Sequence, residues 1–165
     1  MDAVTLRSTA PLSRTFDAMR QDLSYSVQWT TDRFDYRGEI PEDHNAGNRF
    51  YGRDVAEFLC EKLRSDDLST DYLDEDWGWL VLGKSTKGQF VEVAIYNLGD
   101  DGSEPRVGSP EWGLWVRMFE KRPWLLFFRR TYEIRCEQWL LERLNRIETD
   151  AAIKAVPWVD GPADQ

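Results

Sequence analysis

Histidine is nearly missing: His44 is the only one in 165 residues. Any Ser-His-Asp or Cys-His arrangement would have to use it, and it stands in a polar, loop-like stretch. No serine lies in a G-x-S-x-G elbow. Nucleophilic catalysis is not expected, and no catalytic residue is assigned. Cysteine is scarce too. Cys60 and Cys136 allow one disulfide at most, which suits a reducing, cytoplasmic setting better than a stapled secreted fold. There is no C-x-x-C and no H-E-x-x-H, so no zinc pattern. Both glycine-rich phosphate-binding motifs, G-x-x-x-x-G-K-[ST] and G-x-G-x-x-G, are absent. Gly83-Lys84-Ser85 resembles the end of the first, but its partner Gly78 falls inside a strand-like run. No cofactor and no metal is expected. The longest apolar run, Trp124-Leu125-Leu126-Phe127-Phe128, is far short of the roughly 20 residues of a bilayer helix, so no membrane span is expected. The N-terminal residues lack the continuous apolar stretch of a secretory signal.

Positive charge is in deficit. Lysine and arginine number 21 against 30 acidic residues, a formal net charge of −9. Nucleic-acid binding usually leaves a basic footprint, so no nucleic acid is expected. An acidic surface attracts basic partners, or simply keeps the protein in solution.

Aromatics are abundant, with 8 tryptophans in the chain. The most informative stretch is Glu75-Asp76-Trp77-Gly78-Trp79, which closes an acidic run from Asp66 to Asp76 that has no basic residue. Asp71, Asp74, Glu75 and Asp76 lack the alternating pattern and central glycine of an EF-hand loop, and a solvated acidic connection is the reading adopted. The following strand, Trp77–Lys84, carries apolar residues on both faces and reads as central. It would send Trp77 and Trp79 to the same face, where they line a pocket or serve as core pillars.

The rest of the chain supplies the neighbours. Residues 1–20 read as a loosely ordered arm. Ser24 to Thr30 alternates, with Tyr25, Val27 and Trp29 on one side. Residues 31–48 form a long polar connection. A helix over about 49–65 carries Val55, Phe58, Leu59 and Leu63 as its apolar stripe, with Asn48 as N-cap. Ser85 to Gly88 makes a hairpin into the strand Gln89–Asn97. There Val91, Val93 and Ile95 face the core, while Glu92 shares the other face with Phe90 and Tyr96. A carboxylate partly buried at that point would have a raised pKa and mark a candidate site; otherwise Glu92 sits on the wetter face. Residues 98–111 form a second loop, and Trp112–Glu120 a third strand of this meander. The basic, aromatic segment Lys121 to Arg130 suits either an anionic surface or, the reading adopted, entry into a helix over about 130–148. That helix would bury Tyr132, Cys136, Trp139, Leu140, Leu144 and Ile147. A last strand ends in Val-Pro-Trp-Val, before a polar tail at 161–165. The order describes a single α+β domain over 21–160: an antiparallel sheet of about four to five strands, with two helices packed on one face.

At Asp54-Val55-Ala56-Glu57-Phe58-Leu59, at Glu75-Asp76-Trp77-Gly78-Trp79 and at Val156-Pro157-Trp158 the chain resembles an uncharacterised family of small bacterial proteins. Those share an E-D-W-G-W stretch after a helix and a final hydrophobic strand ending in Trp. The resemblance covers about residues 45–160. It implies a bacterial origin and an α+β fold, and it carries over no functional residue.

Three functional expectations follow. The first is a non-enzymatic acidic binding protein, inhibitor-like or immunity-like, acting on a basic protein partner. The second is a small-ligand protein or enzyme with an aromatic pocket near Trp77 and Trp79. The third is an oligomeric scaffold; the oligomeric state is left open. The candidate binding residues are Asp74, Glu75, Asp76, Trp77, Trp79 and Glu92.

Overall fold

A computed structural model describes residues 23–34, 45–46, 50–98, 110–125, 128–159 and 161. The expected arm at 1–20, most of the two long loops, His44, Asn48 and the tail beyond 161 lie outside these residues.

Within them the chain is α+β, with a seven-stranded sheet, a two-stranded ladder and two helices. The strands are β1 (Tyr25–Thr30), β2 (Asn45–Ala46), β3 (Phe50–Tyr51), β4 (Leu68–Glu75), β5 (Gly78–Ser85), β6 (Gln89–Asn97), β7 (Glu111–Leu125), β8 (Phe128–Ile134) and β9 (Lys154–Pro157). The helices are α1 (Arg53–Leu63) and α2 (Gln138–Asp150). The main sheet runs β4-β5-β6-β7-β1-β9, with β8 also on β7, and every pairing is antiparallel. The two short strands β2 and β3 pair only with each other.

Alternation sorts the sheet into two faces. Val27 and Trp29, Trp79 and Val81, Val91, Val93 and Ile95, and Trp112, Leu114, Val116 and Met118 are buried in one core cluster. Val55, Phe58, Leu59 and Leu63 of α1 and Leu140, Leu144 and Ile147 of α2 belong to the same cluster. Burying each of these side chains contributes roughly 1.5–3 kcal/mol. The intervening residues Leu80, Leu82, Phe90, Trp115 and Phe119 turn the other way and are only half-buried.

Four sequence expectations are corrected. The acidic run is not a connection: residues 68–75 form β4, an edge strand. Leu68 is buried and Asp71 and Asp74 are exposed, so an edge position lets the carboxylates keep their water. The first helix begins at Arg53, because Phe50 and Tyr51 are in β3 and Gly52 takes the N-cap position with φ 138°. A Cβ at Gly52 would stand 3.0 Å from the Trp79 ring.

The basic segment is not a helix entry. It is the β7–β8 hairpin, in which Lys121 pairs with Thr131, Arg122 with Arg130 and Pro123 with Arg129. Since β6 stops at Gln89 opposite Glu120, these rungs project beyond their neighbour as an arm. Lys121, Arg122, Arg129 and Arg130 are exposed on it. Tyr132 therefore lies in β8, and Cys136 in the link before α2. The sheet has more strands than expected because the sequence of β4 has the composition of a loop and that of β8 the spacing of a helix.

Candidate functional site

The E-D-W-G-W stretch closes the β4–β5 hairpin. Glu75 pairs with Gly78, leaving Asp76 and Trp77 as the two turn residues. Gly78 is required by proximity: a Cβ there would lie 2.3 Å from the backbone oxygen of Ile95. The turn also overturns the expectation that Trp77 and Trp79 share a face. Trp77 is not in the strand, and its ring stacks on Tyr96 at 4.8 Å and 26°. Tyr96 in turn meets Trp158 at 5.4 Å. Trp158 fills the space over Gly113, where a Cβ would come within 2.6 Å of its ring. The three rings thus form a row on the sheet side away from the core cluster. Trp79 is buried among core residues instead, its indole N–H donating to the Phe50 carbonyl at 3.3 Å. Its ring stands 6.0 Å from that of Tyr72.

The environment of the row is acidic. Trp77 remains 36% exposed, Asp74 and Asp76 are exposed, and Glu75 is half-buried. Among the described residues none of these three carboxylates joins an ion pair. Burial raises the Tyr96 phenol above its ordinary pKa, and the charge of Arg117 partly offsets this.

Glu92 lies on the same side of the sheet, as its alternation with Phe90 and Tyr96 implied. It accepts a 2.8 Å charge-assisted bond from Arg117 on β7. The Arg117 guanidinium is 4.2 Å from the Trp115 ring centroid and 5.3 Å from that of Phe119. Beside this ladder is an open groove of about 570 Å³, lined among others by Leu82, Lys84, Phe90, Phe119 and Lys121. None of Asp74, Glu75, Asp76 and Trp77 lines this groove.

A second titratable group lies inside the core. Glu148 of α2 is buried and accepts a 2.7 Å hydrogen bond from the indole N–H of Trp29. Desolvation raises its carboxyl pKa, and the indole bond pulls the other way. Burial likewise raises the Tyr25 phenol, with Glu148 adding to the effect. The Cys136 thiol is pushed up to about 12, mainly by burial. It lies 3.5 Å from the Val116 carbonyl, as an inert core cysteine should. Among the described residues no three His, Cys, Asp or Glu side chains are placed to hold a metal ion. No described helix is long and apolar enough to cross a membrane.

Sequence reasoning found Trp77 and its carboxylates but missed Tyr96 and Trp158 as its partners. Those contacts join three distant segments, and no spacing rule connects them. Comparison with known proteins found no matching family model, no matching curated protein and no matching solved structure. The E-D-W-G-W stretch is therefore interpreted from its geometry alone.

Proposed function

We propose that this is a non-enzymatic binding protein whose acidic β4–β5 end takes a basic protein partner, as an inhibitor or immunity-like protein would. The observation that carries this is the exposed Trp77, held by its stack on Tyr96 and flanked by Asp74, Glu75 and Asp76 without cationic partners. An aromatic ring fixed before binding costs little side-chain entropy at an interface. A cation over such a ring gains cation–π attraction as well as its carboxylate contacts. The two helices cover the opposite side of the sheet in this reading and leave the row free.

The test is capture of a binding protein from lysate by the tagged chain at about 50 mM and about 500 mM salt, where screening lengths differ severalfold. The expected result is a basic protein held at low salt and released at high salt. That capture should be lost with Asp74→Asn/Glu75→Gln/Asp76→Asn and weakened with Trp77→Ala. Capture that survives the triple substitution refutes the assignment.

The groove over Phe90 and Phe119 favours a second reading, a small ligand with an apolar body. Its volume falls within the usual range of small-molecule sites. Saturable binding of a small aromatic compound that is lost with Phe90→Ala, without any protein partner, would favour it.

A further inference from the structure

The described cations are not spread evenly. Arg33 just past β1, Lys62 and Arg64 at the end of α1, and Arg143 and Arg146 on α2 line one cavity of about 360 Å³. Asp150 is the single carboxylate in its wall. Five cations therefore face one anion in a chain whose formal net charge is −9.

The contacts of these cations deepen the imbalance. Arg143 donates to the Leu63 carbonyl at 2.8 Å and to the Ser65 hydroxyl at 3.0 Å. Arg64 donates to the Thr70 carbonyl at 3.1 Å and the Thr70 hydroxyl at 3.2 Å. Arg33 stacks over Phe58 at 4.7 Å. These partners are all neutral. Among the described residues none of the four arginines forms an ion pair, and Lys62 pairs only with its neighbour Glu61, at 3.6 Å, while standing 5.9 Å from the Phe58 ring centroid.

Capping explains part of the cluster. Cations near helix C-termini satisfy terminal carbonyls and the dipole, which accounts for Arg143 and for Arg64 beside α1. It does not account for Arg33 in a loop or for the convergence of Lys62 and Arg146 on the same cavity. Like charges held together repel, and the arrangement is relieved by an anion with several oxygens.

We propose that this cavity binds a small, multiply charged phosphate anion: a free oligophosphate or the phosphate chain of a nucleotide. Guanidinium forks match phosphate oxygens in pairs. The cavity volume fits a small molecule, and the strongly negative remainder of the protein disfavours an extended polyanion. The glycine-rich loop motifs do not reveal such a site, because the charge here comes from side chains on three separate segments. It shares no residue with the acidic β4–β5 end.

The test is calorimetric titration of the full chain with tripolyphosphate, with pyrophosphate, ATP and a 12-nucleotide single strand as separate arms. The expected result is one site for tripolyphosphate, weaker pyrophosphate binding, and affinity that falls as salt rises. Arg33→Gln/Arg146→Gln removes two exposed charges and should weaken tripolyphosphate at least about tenfold. Lys121→Gln/Arg122→Gln on the β7–β8 arm should change it less than about twofold. A circular-dichroism melt confirms that both variants fold. ATP binding more tightly than tripolyphosphate assigns the phosphate to a nucleotide, and equal or weaker ATP binding assigns it to a free oligophosphate. No heat with tripolyphosphate at low salt, equal affinity in Arg33→Gln/Arg146→Gln, or tighter binding of the oligonucleotide than of tripolyphosphate overturns the proposal.

Discussion

Replacing Gly78 by alanine places a methyl group 2.3 Å from the Ile95 oxygen. Ordinary contact between such atoms begins about 1 Å further out. The oxygen belongs to the backbone of β6, so no side chain can swing aside to make room. Strand β5 must then lift from β6 next to the Trp79–Ile95 rung. The loss of one or two ladder bonds costs about 0.5–1.5 kcal/mol each, and overpacking adds about 1 kcal/mol. Gly78→Ala is thus expected to cost about 1.5–4 kcal/mol, or about 3–16 °C in melting temperature for a chain of this size.

Gly88 supplies the control. It has φ +83° and nothing within 4 Å of its Cβ position, so alanine there costs only the left-handed backbone, about 1–2 kcal/mol. Urea denaturation followed by far-UV circular dichroism measures both, with an unchanged slope confirming that the midpoint shift reports stability. Because the same lift would move Trp77 off Tyr96, Gly78→Ala should also change the tryptophan emission of the folded protein, whereas Gly88→Ala should not. If Gly78→Ala costs no more than Gly88→Ala, the close approach of β5 to β6 is refuted.

The buried carboxylate gives a pH-dependent prediction. A carboxyl whose pKa is raised by folding binds its proton more tightly in the folded state. Its contribution to stability therefore declines as pH rises from the ordinary carboxylate value of about 4.3 to the folded value, and then levels off. Glu148→Gln should flatten that decline in urea midpoints measured from pH 4 to pH 8, and an unchanged profile would count against the assignment. Trp29→Phe removes the donor that favours the charged carboxyl, so its cost in the same assay should grow with rising pH; a cost that does not change with pH would argue against that bond. Cys136 should resist a thiol reagent such as Ellman's at pH 8 until urea unfolds the protein, since its thiol stays protonated; fast labelling of the native state would contradict this. Leu144→Ala, at a position 1% exposed, should cost about 2–5 kcal/mol in the same denaturation assay; a cost below 1 kcal/mol would mean α2 is not anchored in the core.

The parts of the fold legible in the sequence are those whose pattern is local. The apolar stripe of α1 follows a helical repeat, and the β5–β6 hairpin has alternation on both sides of a turn ending in Gly88. Strand β4 is hidden because five of its eight residues are polar or acidic, which an edge strand tolerates and a composition reading takes for a loop. Strand β8 was hidden by coincidence: Tyr132, Cys136, Trp139 and Leu140 fall at helical spacing, although the first two precede α2. Of the candidate site, Trp77 and its carboxylates were visible as an unusual cluster. Their meaning depended on a two-residue turn that moves Trp77 out of register with Trp79. Glu148 carries no sequence signal, because only the tertiary contact with Trp29 distinguishes it from the surface acids around it.

Strand β7 has one flank occupied by β6 and the other shared end to end by β1 and β8. Strand β1, close to the start of the chain, thus has as partners only β7 and the late strand β9, and Trp29 needs α2 for its one polar contact. During synthesis β1 leaves the ribosome long before any of these exists. Val27 and Trp29 must then stay unpaired in the nascent chain while the β4–β5–β6 meander forms from neighbouring residues. The topology thus lets the meander close from neighbouring residues, while the first strand waits for β7. A chain interrupted before β7 would present an aromatic, half-apolar strand with no place to dock, a natural handle for chaperones and a starting point for aggregation.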